Sequence, residues 1–305
     1  MPTPDWLWIP ITIWAGFAQT VRNATQKSLI ASLGALGATL VRFLYGLPFA
    51  LLWLLAVKAV GGFAWPALHL TFFAWVCLGA ISQIAATALL LRVMSERNFA
   101  LGVAYSKSDV IQSALFGFVL LGDVLTRGAA IAVVIGTLGV LLLSPPDRER
   151  PLRALLTGWT THSALLGLAS GTCFAASGVG FRGAALALPD TSFVMAAAVA
   201  LMLAQLLQTA LLGGWLLARD AAVVVKTFQA WRPSLLAGLM GAAASAGWLT
   251  AMAIEPAAHV RALGLIELLF TYVVSRKLFR ERLSTLEQTG MGLLALALAA
   301  VALIR

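Results

Sequence analysis

Two acidic residues, Asp109 and Glu267, stand near the middle of long apolar stretches of the chain. Each ionised side chain costs roughly 2.5–3.5 kcal/mol at the centre of a membrane-spanning helix, so such residues usually face an internal cavity with a function. Two carboxylates buried close together can share one proton, as proton-coupled exchange or recognition of a cationic group requires. We therefore predict that Asp109 and Glu267 bind a substrate or a proton.

Helical spacing identifies the residues that accompany Asp109. Residues three and four positions apart share one face of a helix, which places Tyr105 and Gln112 beside this carboxylate. Lys107 is only two residues away, so its side chain points to nearly the opposite side. We expect it to reach another helix, with Glu267 as the candidate partner, or to line a separate wall of the cavity. A structural network of these charges, without a role in binding, is the alternative.

Seven further polar or aromatic residues within or at the ends of apolar stretches are candidates for a gate or for the wall of a cavity. They are Trp14, Gln19, Arg22, Arg42, Gln83, Arg182 and Trp248. Tryptophan rings can stack on a cation or an aromatic ring, although ordinary helix packing is the alternative for each member of this group. For Arg22 and Arg182 the favoured interpretation is extension of the charged group to the membrane interface. Contact with an anion at a mouth of the cavity is the other.

The composition predicts that lipid surrounds most of the chain. Of the 305 residues, 61% are hydrophobic and only 11% are charged, whereas about a quarter are charged in a typical soluble domain. A helix needs about 20 mainly apolar residues to cross a bilayer. Ten stretches approach or meet this length: Trp6–Val21, Leu33–Val57, Leu70–Leu91, Ala100–Leu121, Gly128–Ser144, Ser163–Phe181, Phe193–Leu217, Pro233–Ala253, Ala258–Arg276 and Leu286–Ile304. We therefore predict an all-α integral membrane protein with ten transmembrane helices.

The two halves of the chain repeat one another. Glu267 follows Asp109 by 158 residues, and Glu281 follows Asp123 by the same number. Each half contains five predicted spans, and an odd number inserts the second copy from the opposite side of the membrane. Inverted repeats of this kind are typical of secondary transporters, whose substrate site lies near the midplane between the repeats. The predicted units are a first five-helix repeat at 1–145, a connecting loop at 146–161 and a second five-helix repeat at 162–305.

Two corresponding segments carry a resemblance to a known family. The first reads Ala-Tyr-Ser-Lys-Ser-Asp at 104–109 and runs to Leu-Gly-Asp at 121–123, and the second runs from Val-Arg-Ala-Leu-Gly-Leu-Ile-Glu at 260–267 to Phe-Arg-Glu-Arg-Leu at 279–283. Over both halves the chain resembles the EamA-type branch of the drug/metabolite transporter superfamily. The resemblance implies ten helices in two inverted sets of five, in a bacterial inner membrane, and efflux of small metabolites, amino acids or toxic compounds. The proline that the family often has before these turns is missing, so the resemblance implies no helix kink there.

These observations together predict a secondary transporter, and more specifically an exporter, that works by alternating access around a midplane cavity, with proton coupling as an option. A passive facilitator or channel is the alternative. A membrane-embedded enzyme is less favoured, because the sequence contains no His-Glu-x-x-His, Gly-x-Ser-x-Gly or phosphate-binding glycine motif. We expect no catalytic residue, no cofactor and no metal site. The expected partners are a small-molecule substrate and membrane lipids rather than nucleic acid, and the protein is expected to be a monomer or a homodimer.

The distribution of Lys and Arg predicts the orientation. Cytoplasmic loops carry the excess of these residues, and the richer side of the membrane includes the clusters Arg148–Arg153 and Arg276–Arg282. Arg22 is counted with the richer side, and Arg182 and Arg261 are counted with the poorer side. This rule places both termini outside the cytoplasm, whereas the family resemblance implies termini inside. The charge rule is preferred here because the asymmetry is large.

Overall fold

The computed structural model describes residues 6–96, 99–124 and 162–280, together with Pro4 and a few isolated positions, but not the side chains of residues 100–102 and 104. Helices joined by short connections make up these ranges, which confirms the all-α prediction for the described chain. The fifth and tenth predicted spans lie outside the described residues apart from isolated positions.

The described ranges contain eleven α-helices. They are α1 (Trp8–Leu44), α2 (Leu47–Gly61), α3 (Leu70–Glu96), α4 (Phe99–Ser106), α5 (Asp109–Leu121), α6 (His162–Leu186), α7 (Phe193–Arg219), α8 (Ala221–Gln229), α9 (Trp231–Ile254), α10 (Ala257–Leu263) and α11 (Glu267–Lys277). A 3-10 turn, Gly264–Ile266, joins α10 to α11. Six continuous helical segments are long and apolar enough to cross a bilayer: Trp8–Gly61, α3, α6, α7, α9 and Ala257–Lys277. The chain is therefore a multi-pass membrane protein.

The first helical segment reverses direction at Gly34. This glycine has a left-handed φ of 69°, which residues with a side chain rarely adopt. The side chain of Gln26 donates to the Ala38 carbonyl oxygen at 2.7 Å, although these residues would be about 18 Å apart along one straight helix. The first arm of α1 therefore corresponds to the first predicted span, and the second arm together with α2 corresponds to the second.

The predicted end of the first span at Val21 is wrong, because the helix continues without interruption to Leu33. The continuation carries Arg22, Asn23 and Gln26, all of them buried. Apolar length alone therefore stops the predicted span too early. These polar side chains are tolerated because they bond inside the protein rather than facing lipid.

Two helix pairs have the most extensive packing in the described chain, α1 with α9 and α3 with α6. Small residues let both pairs approach closely, as is usual between membrane helices. Gly247 of α9 lies against Ala15 of α1, and Gly180 of α6 faces the backbone of Gly79 in α3. Each pair joins a helix from the first half of the sequence to one from the second half, so the halves interlock.

Two glycines of α6, Gly167 and Gly171, pack against the junction between α4 and α5. A β-carbon at Gly171 would overlap Ser108 Oγ, and it would lie 3.0 Å from the Ser106 carbonyl oxygen and 3.1 Å from the Asp109 nitrogen, closer than most real contacts. Gly167 packs in the same way against Tyr105. The backbone of α6 therefore touches the backbone at the junction and fixes the position of Asp109.

Candidate binding site at two broken helices

The fourth and ninth predicted spans are both interrupted. Helix α4 ends at Ser106 and α5 begins at Asp109, while α10 ends at Leu263 and α11 begins at Glu267 after one 3-10 turn. Ser108 and the residues at both ends of the 3-10 turn keep right-handed helical φ and ψ angles, so each interruption is a short, tighter turn within one span. Each carboxylate is the first residue after that turn. Both interruptions occur without a proline, and the family resemblance did not imply them.

Glu267 lies at the centre of a buried hydrogen-bond network. Its side chain is 0% exposed, and it forms an ion pair with the Lys107 ammonium group. It also accepts hydrogen bonds from Gln19 Nε2 at 2.7 Å and Asn23 Nδ2 at 3.0 Å. Gln19 in turn accepts from Trp248 Nε1 at 2.8 Å. Lys107, Gln19 and Asn23 therefore all donate to this carboxylate, and Trp248 holds Gln19 in place.

Asp109 forms a second buried ion pair, with Arg261 of α10. The Arg261 Nη1 atom lies 3.2 Å from Asp109 Oδ2. The guanidinium group also lies 5.1 Å from the ring centre of Trp248 and 5.9 Å from that of Phe174, within reach of cation–π attraction. Its Nη2 donates to the Phe174 carbonyl oxygen at 3.3 Å. Arg261 is therefore held between two aromatic rings and a carboxylate.

The two ion pairs cross between the halves of the sequence. Lys107 of the first half pairs with Glu267 of the second, and Arg261 of the second half pairs with Asp109 of the first. The contact between Lys107 and Glu267 is one of the two possibilities that the sequence left open for Lys107. The shared proton considered for the two carboxylates gains no support, since each carboxylate has its own cationic partner.

Arg22 and Arg42 are buried without a carboxylate partner in the described chain. Arg22 is 0% exposed and donates to Asn23 Oδ1 from Nη2 at 2.7 Å and from Nε at 3.3 Å. Arg42 is 1% exposed and donates from Nη1 to Thr87 Oγ1 at 2.7 Å and from Nη2 to Ser245 Oγ at 3.3 Å. The extension of Arg22 to the membrane interface is therefore wrong, because its hydrogen bonds hold it inside the helix bundle.

Arg182 also stays inside the protein, where it forms a two-point ion pair with Asp123. The Nε–Oδ2 distance is 2.8 Å and the Nη2–Oδ1 distance is 2.9 Å, while Nη1 donates to the Met252 carbonyl oxygen at 2.9 Å. Asp123 follows Gly122, whose left-handed φ of 68° ends α5. Extension of Arg182 to the interface is therefore wrong as well. The side chain ties the end of α5 to α6 and α9.

Replacement of Arg182 by Lys should lower the free energy of unfolding by about 1.5–3 kcal/mol, because an ammonium group cannot reproduce the two-point geometry or the bond to Met252. Denaturant titration in detergent micelles measures the change. The matched control is Arg219→Lys at the exposed end of α7, which should change stability by less than about 0.5 kcal/mol. Equal effects of the two substitutions would contradict a structural role for this ion pair.

Three other predicted residues lie elsewhere in the bundle. Gln83 accepts from Gln208 Nε2 of α7 at 2.9 Å. Tyr105 is buried against α6, and the Gln112 amide donates to Ser108 Oγ at 3.4 Å. These three contacts position helices around the charged residues. Gln112 follows Asp109 by three residues on α5, whereas Tyr105 lies on α4, before the interruption.

A separate apolar cavity of about 520 Å³ lies where α1 begins. Trp14, Trp53 and Phe193 contribute aromatic surface, and Thr250 contributes a hydroxyl group. Trp14 therefore faces this cavity and is half exposed. Trp248 belongs to the Glu267 network instead, although both tryptophans were predicted as possible cavity residues.

Comparisons with known proteins address the fold alone. No protein-family model matches the sequence, and no curated protein matches it. By contrast, 26 chains of solved structures do match. One of these, described only as "Crystal structure of protein", covers 98% of this chain and 97% of its own length, with a TM-score of 0.67 and 15% sequence identity. The arrangement of helices therefore recurs in another protein over nearly the whole length of both chains.

Proposed function

We propose that this protein is a secondary transporter that carries a small solute across the membrane by alternating access around Asp109, Glu267, Lys107 and Arg261. The observation that carries the proposal is the pair of short helix interruptions, each followed by a buried carboxylate that pairs with a cation from the other half of the chain. Secondary transporters bind solutes and coupling ions at discontinuous helices of this kind.

The proposal includes ten membrane helices in two inverted sets of five. Support comes from the packing of α1 with α9 and of α3 with α6. The arm of α1 before Gly34, whose Ala15 packs on Gly247 of α9, is the first span, so the pairs join the first span to the eighth and the third to the sixth. In two repeats of five, the first span corresponds to the sixth and the third to the eighth. Each of the two packed pairs is therefore the counterpart of the other. The interruptions in the fourth and ninth spans obey the same correspondence.

The crossed ion pairs suggest how the movement is controlled. The carboxylates are nearly inaccessible in this conformation, with side-chain exposures of 2% for Asp109 and 0% for Glu267. A solute can reach them only after helices move apart. Since both ion pairs bridge the two halves, rocking of one half against the other has to separate the charges or give them new partners. A solute that binds more tightly to one arrangement shifts the balance between them.

We also infer an exporter of the EamA type in a bacterial inner membrane, with both termini outside the cytoplasm. The structure alters the charge count that supports this orientation. Arg22, Arg182 and Arg261 are buried and pair within the bundle, so they do not act as loop charges. When these three arginines are left out of the count, the richer side loses one positive residue and the poorer side loses two. The difference in positive charge between the two sides of the membrane therefore grows.

Counterflow in proteoliposomes tests the proposed transport. Purified protein is screened by thermal shift against amino acids, nucleobases and organic ions, and any binder is loaded into the vesicles before its labelled form is added outside. A carrier should accumulate label transiently and saturably, whereas a channel should only equilibrate it. A solute that binds but shows no saturable exchange would contradict a carrier, and chemical conversion of the solute would favour an enzyme.

A further inference from the structure

The buried charged cluster has a surplus of positive charge. Four cations, Arg22, Arg42, Lys107 and Arg261, accompany the two carboxylates Asp109 and Glu267 within the described chain, and all six are at most 7% exposed. Lys107 and Arg261 are neutralised by their ion pairs. The remaining two charges therefore belong to the two arginines that contact only neutral groups.

Arg22 and Arg42 lie next to each other. A β-carbon at Gly241 of α9 would be 3.2 Å from Arg42 Cγ and 3.4 Å from Arg22 Cδ, so both side chains pack over the same glycine. Arg42 is repelled by Arg22 and by Arg261, whereas Arg22 is attracted by Glu267 and repelled by Arg261. The absence of a side chain at Gly241 leaves room for the aliphatic stems of the two arginines.

Each of these arginines keeps a donor without an acceptor in the described chain. The atoms are Arg22 Nη1 and Arg42 Nε, and Arg261 Nε likewise has no acceptor among the described residues. Buried N–H groups are nearly always paired, and a buried charge without a counter-charge is costly. Three guanidinium groups with open donors at one place in an apolar bundle are therefore unusual for a purely structural role.

A ligand that carries negative charge would both neutralise the surplus positive charge and accept hydrogen bonds from the open guanidinium donors. The planar guanidinium fork matches the oxygens of a carboxylate or a phosphate group, and such charge-assisted bonds are about twice as strong as neutral ones. A cationic solute is disfavoured, since both carboxylates already hold a cation and the surplus charge would repel it. The surplus of two positive charges suits a phosphate group or a dicarboxylate.

We infer that the solute is an organic oxyanion whose carboxylate or phosphate group binds between Arg22 and Arg42. This inference rests on the proposed function, because it names the class of solute for the same site. The two carboxylates then serve to hold Lys107 and Arg261 in place rather than to bind the solute directly.

Thermal stability of the purified full chain in a neutral detergent with neutral lipid tests the inference. The probes are inorganic phosphate and succinate, compared with glucose and choline at equal ionic strength. Phosphate or succinate should raise the Tm saturably, as expected for a ligand that binds the folded state. Failure of both anions to stabilise the protein, or equal stabilisation by choline, would overturn the inference.

Three variants assign the binding to the arginines. Arg22→Gln and Arg42→Gln should each weaken the apparent affinity by about tenfold to a hundredfold, the effect of losing a bond from a charged donor. Arg92→Gln, at an exposed position on α3, should leave it unchanged. Both Gln variants remove an uncompensated buried charge, so we expect them to fold. Arg42→Lys keeps the charge without the fork and should give an intermediate affinity; equal affinity in all variants would overturn the assignment.

Lipid is the other source of a phosphate group, and a second arm separates it from a free solute. The titration is repeated with phosphatidylglycerol in place of neutral lipid. If the anionic lipid alone stabilises the protein and neither soluble anion competes with it, the site binds a lipid headgroup and the inference about the solute is wrong. Competition by phosphate or succinate supports a soluble oxyanion.

Counterflow distinguishes failure of this inference from failure of the proposed transport. Exchange of a neutral or cationic solute that phosphate and succinate do not inhibit would leave transport standing and refute the oxyanion. If an anion binds through Arg22 and Arg42 but is never exchanged across the vesicle membrane, the anion site is supported and the proposed transport is refuted.

Discussion

Lys107→Gln and Glu267→Gln, made separately, are each expected to lower the free energy of unfolding by about 3–5 kcal/mol, because each leaves the partner's charge buried and unpaired. The double variant removes both charges and should recover most of that loss. Gln19 and Asn23 donate to different oxygens of the present carboxylate, at 2.7 and 3.0 Å. Glutamine at 267 has a single oxygen and keeps only one of these two hydrogen bonds. Denaturant titration in detergent micelles of the wild type, both single variants and the double variant measures these differences.

An exposed ion pair on α3 provides the matched control for this cycle. Arg92 and Glu96 are one helical turn apart, with an Nε–Oε1 distance of 2.9 Å, and the arginine side chain is 63% exposed. A pair of this kind contributes only about 0.3–0.5 kcal/mol, so glutamine substitutions there should have small effects. If the single substitutions at Lys107 and Glu267 cost no more than these, the buried pair does not have the energetic weight that its burial implies.

Gly171→Leu is expected to prevent stable folding or to cost at least about 3 kcal/mol, at the upper end of the range for overpacked sites. The added side chain would overlap Ser108 Oγ and crowd the backbone where α4 ends and α5 begins. Any shift that relieves the overlap moves Asp109 away from Arg261, so solute binding should be lost together with stability. Yield of folded protein, thermal stability and the thermal-shift response to solute measure the outcome.

Gly214→Leu is the control for this substitution. Gly214 lies in α7, and a β-carbon there would have no heavy atom within 4 Å. Both changes replace a helical glycine with the same larger residue, so any gain in helix propensity is shared. A Gly171→Leu protein as stable and as responsive as Gly214→Leu would show that α6 does not fix the junction.

The sequence could predict most of the helices because their signal is local. Long apolar stretches located the spans that appear as α3, α6, α7 and α9. The signal failed where polar residues pair inside the bundle, as Asn23 and Gln26 do in the continuation of α1. A window of hydropathy cannot tell a polar residue in a loop from one that bonds to another helix.

The candidate site was predicted in part. The matched offset identified Asp109 and Glu267, and the awkward geometry of Lys107 on its own helix indicated a partner elsewhere. Arg261 was missed because it stands three residues inside its predicted span, where an arginine usually reaches the interface. Its partner comes from a helix more than a hundred residues away, and spacing within one helix carries no information about such a contact.

The interruptions in the fourth and ninth spans were the feature for which the sequence gives the weakest indication. Neither Lys107 and Ser108 nor Gly264–Ile266 contains proline, so the usual cause of an interruption is missing. The interruptions depend on tertiary contacts instead. The ring of Trp248 occupies the space beside Gly264, and α6 presses on the junction before Asp109. These contacts exist only once the halves have packed together.

Transport by the Lys107→Gln/Glu267→Gln double variant tests the central claim most directly, because its stability should be close to that of the wild type. Counterflow is measured with the solute that the wild-type protein exchanges, at equal amounts of reconstituted protein. Our account predicts a folded protein whose exchange rate falls by about tenfold or more, which corresponds to at least about 1.4 kcal/mol of lost interaction. Exchange at the wild-type rate would contradict it and would make the crossed ion pairs a structural tie between the two halves.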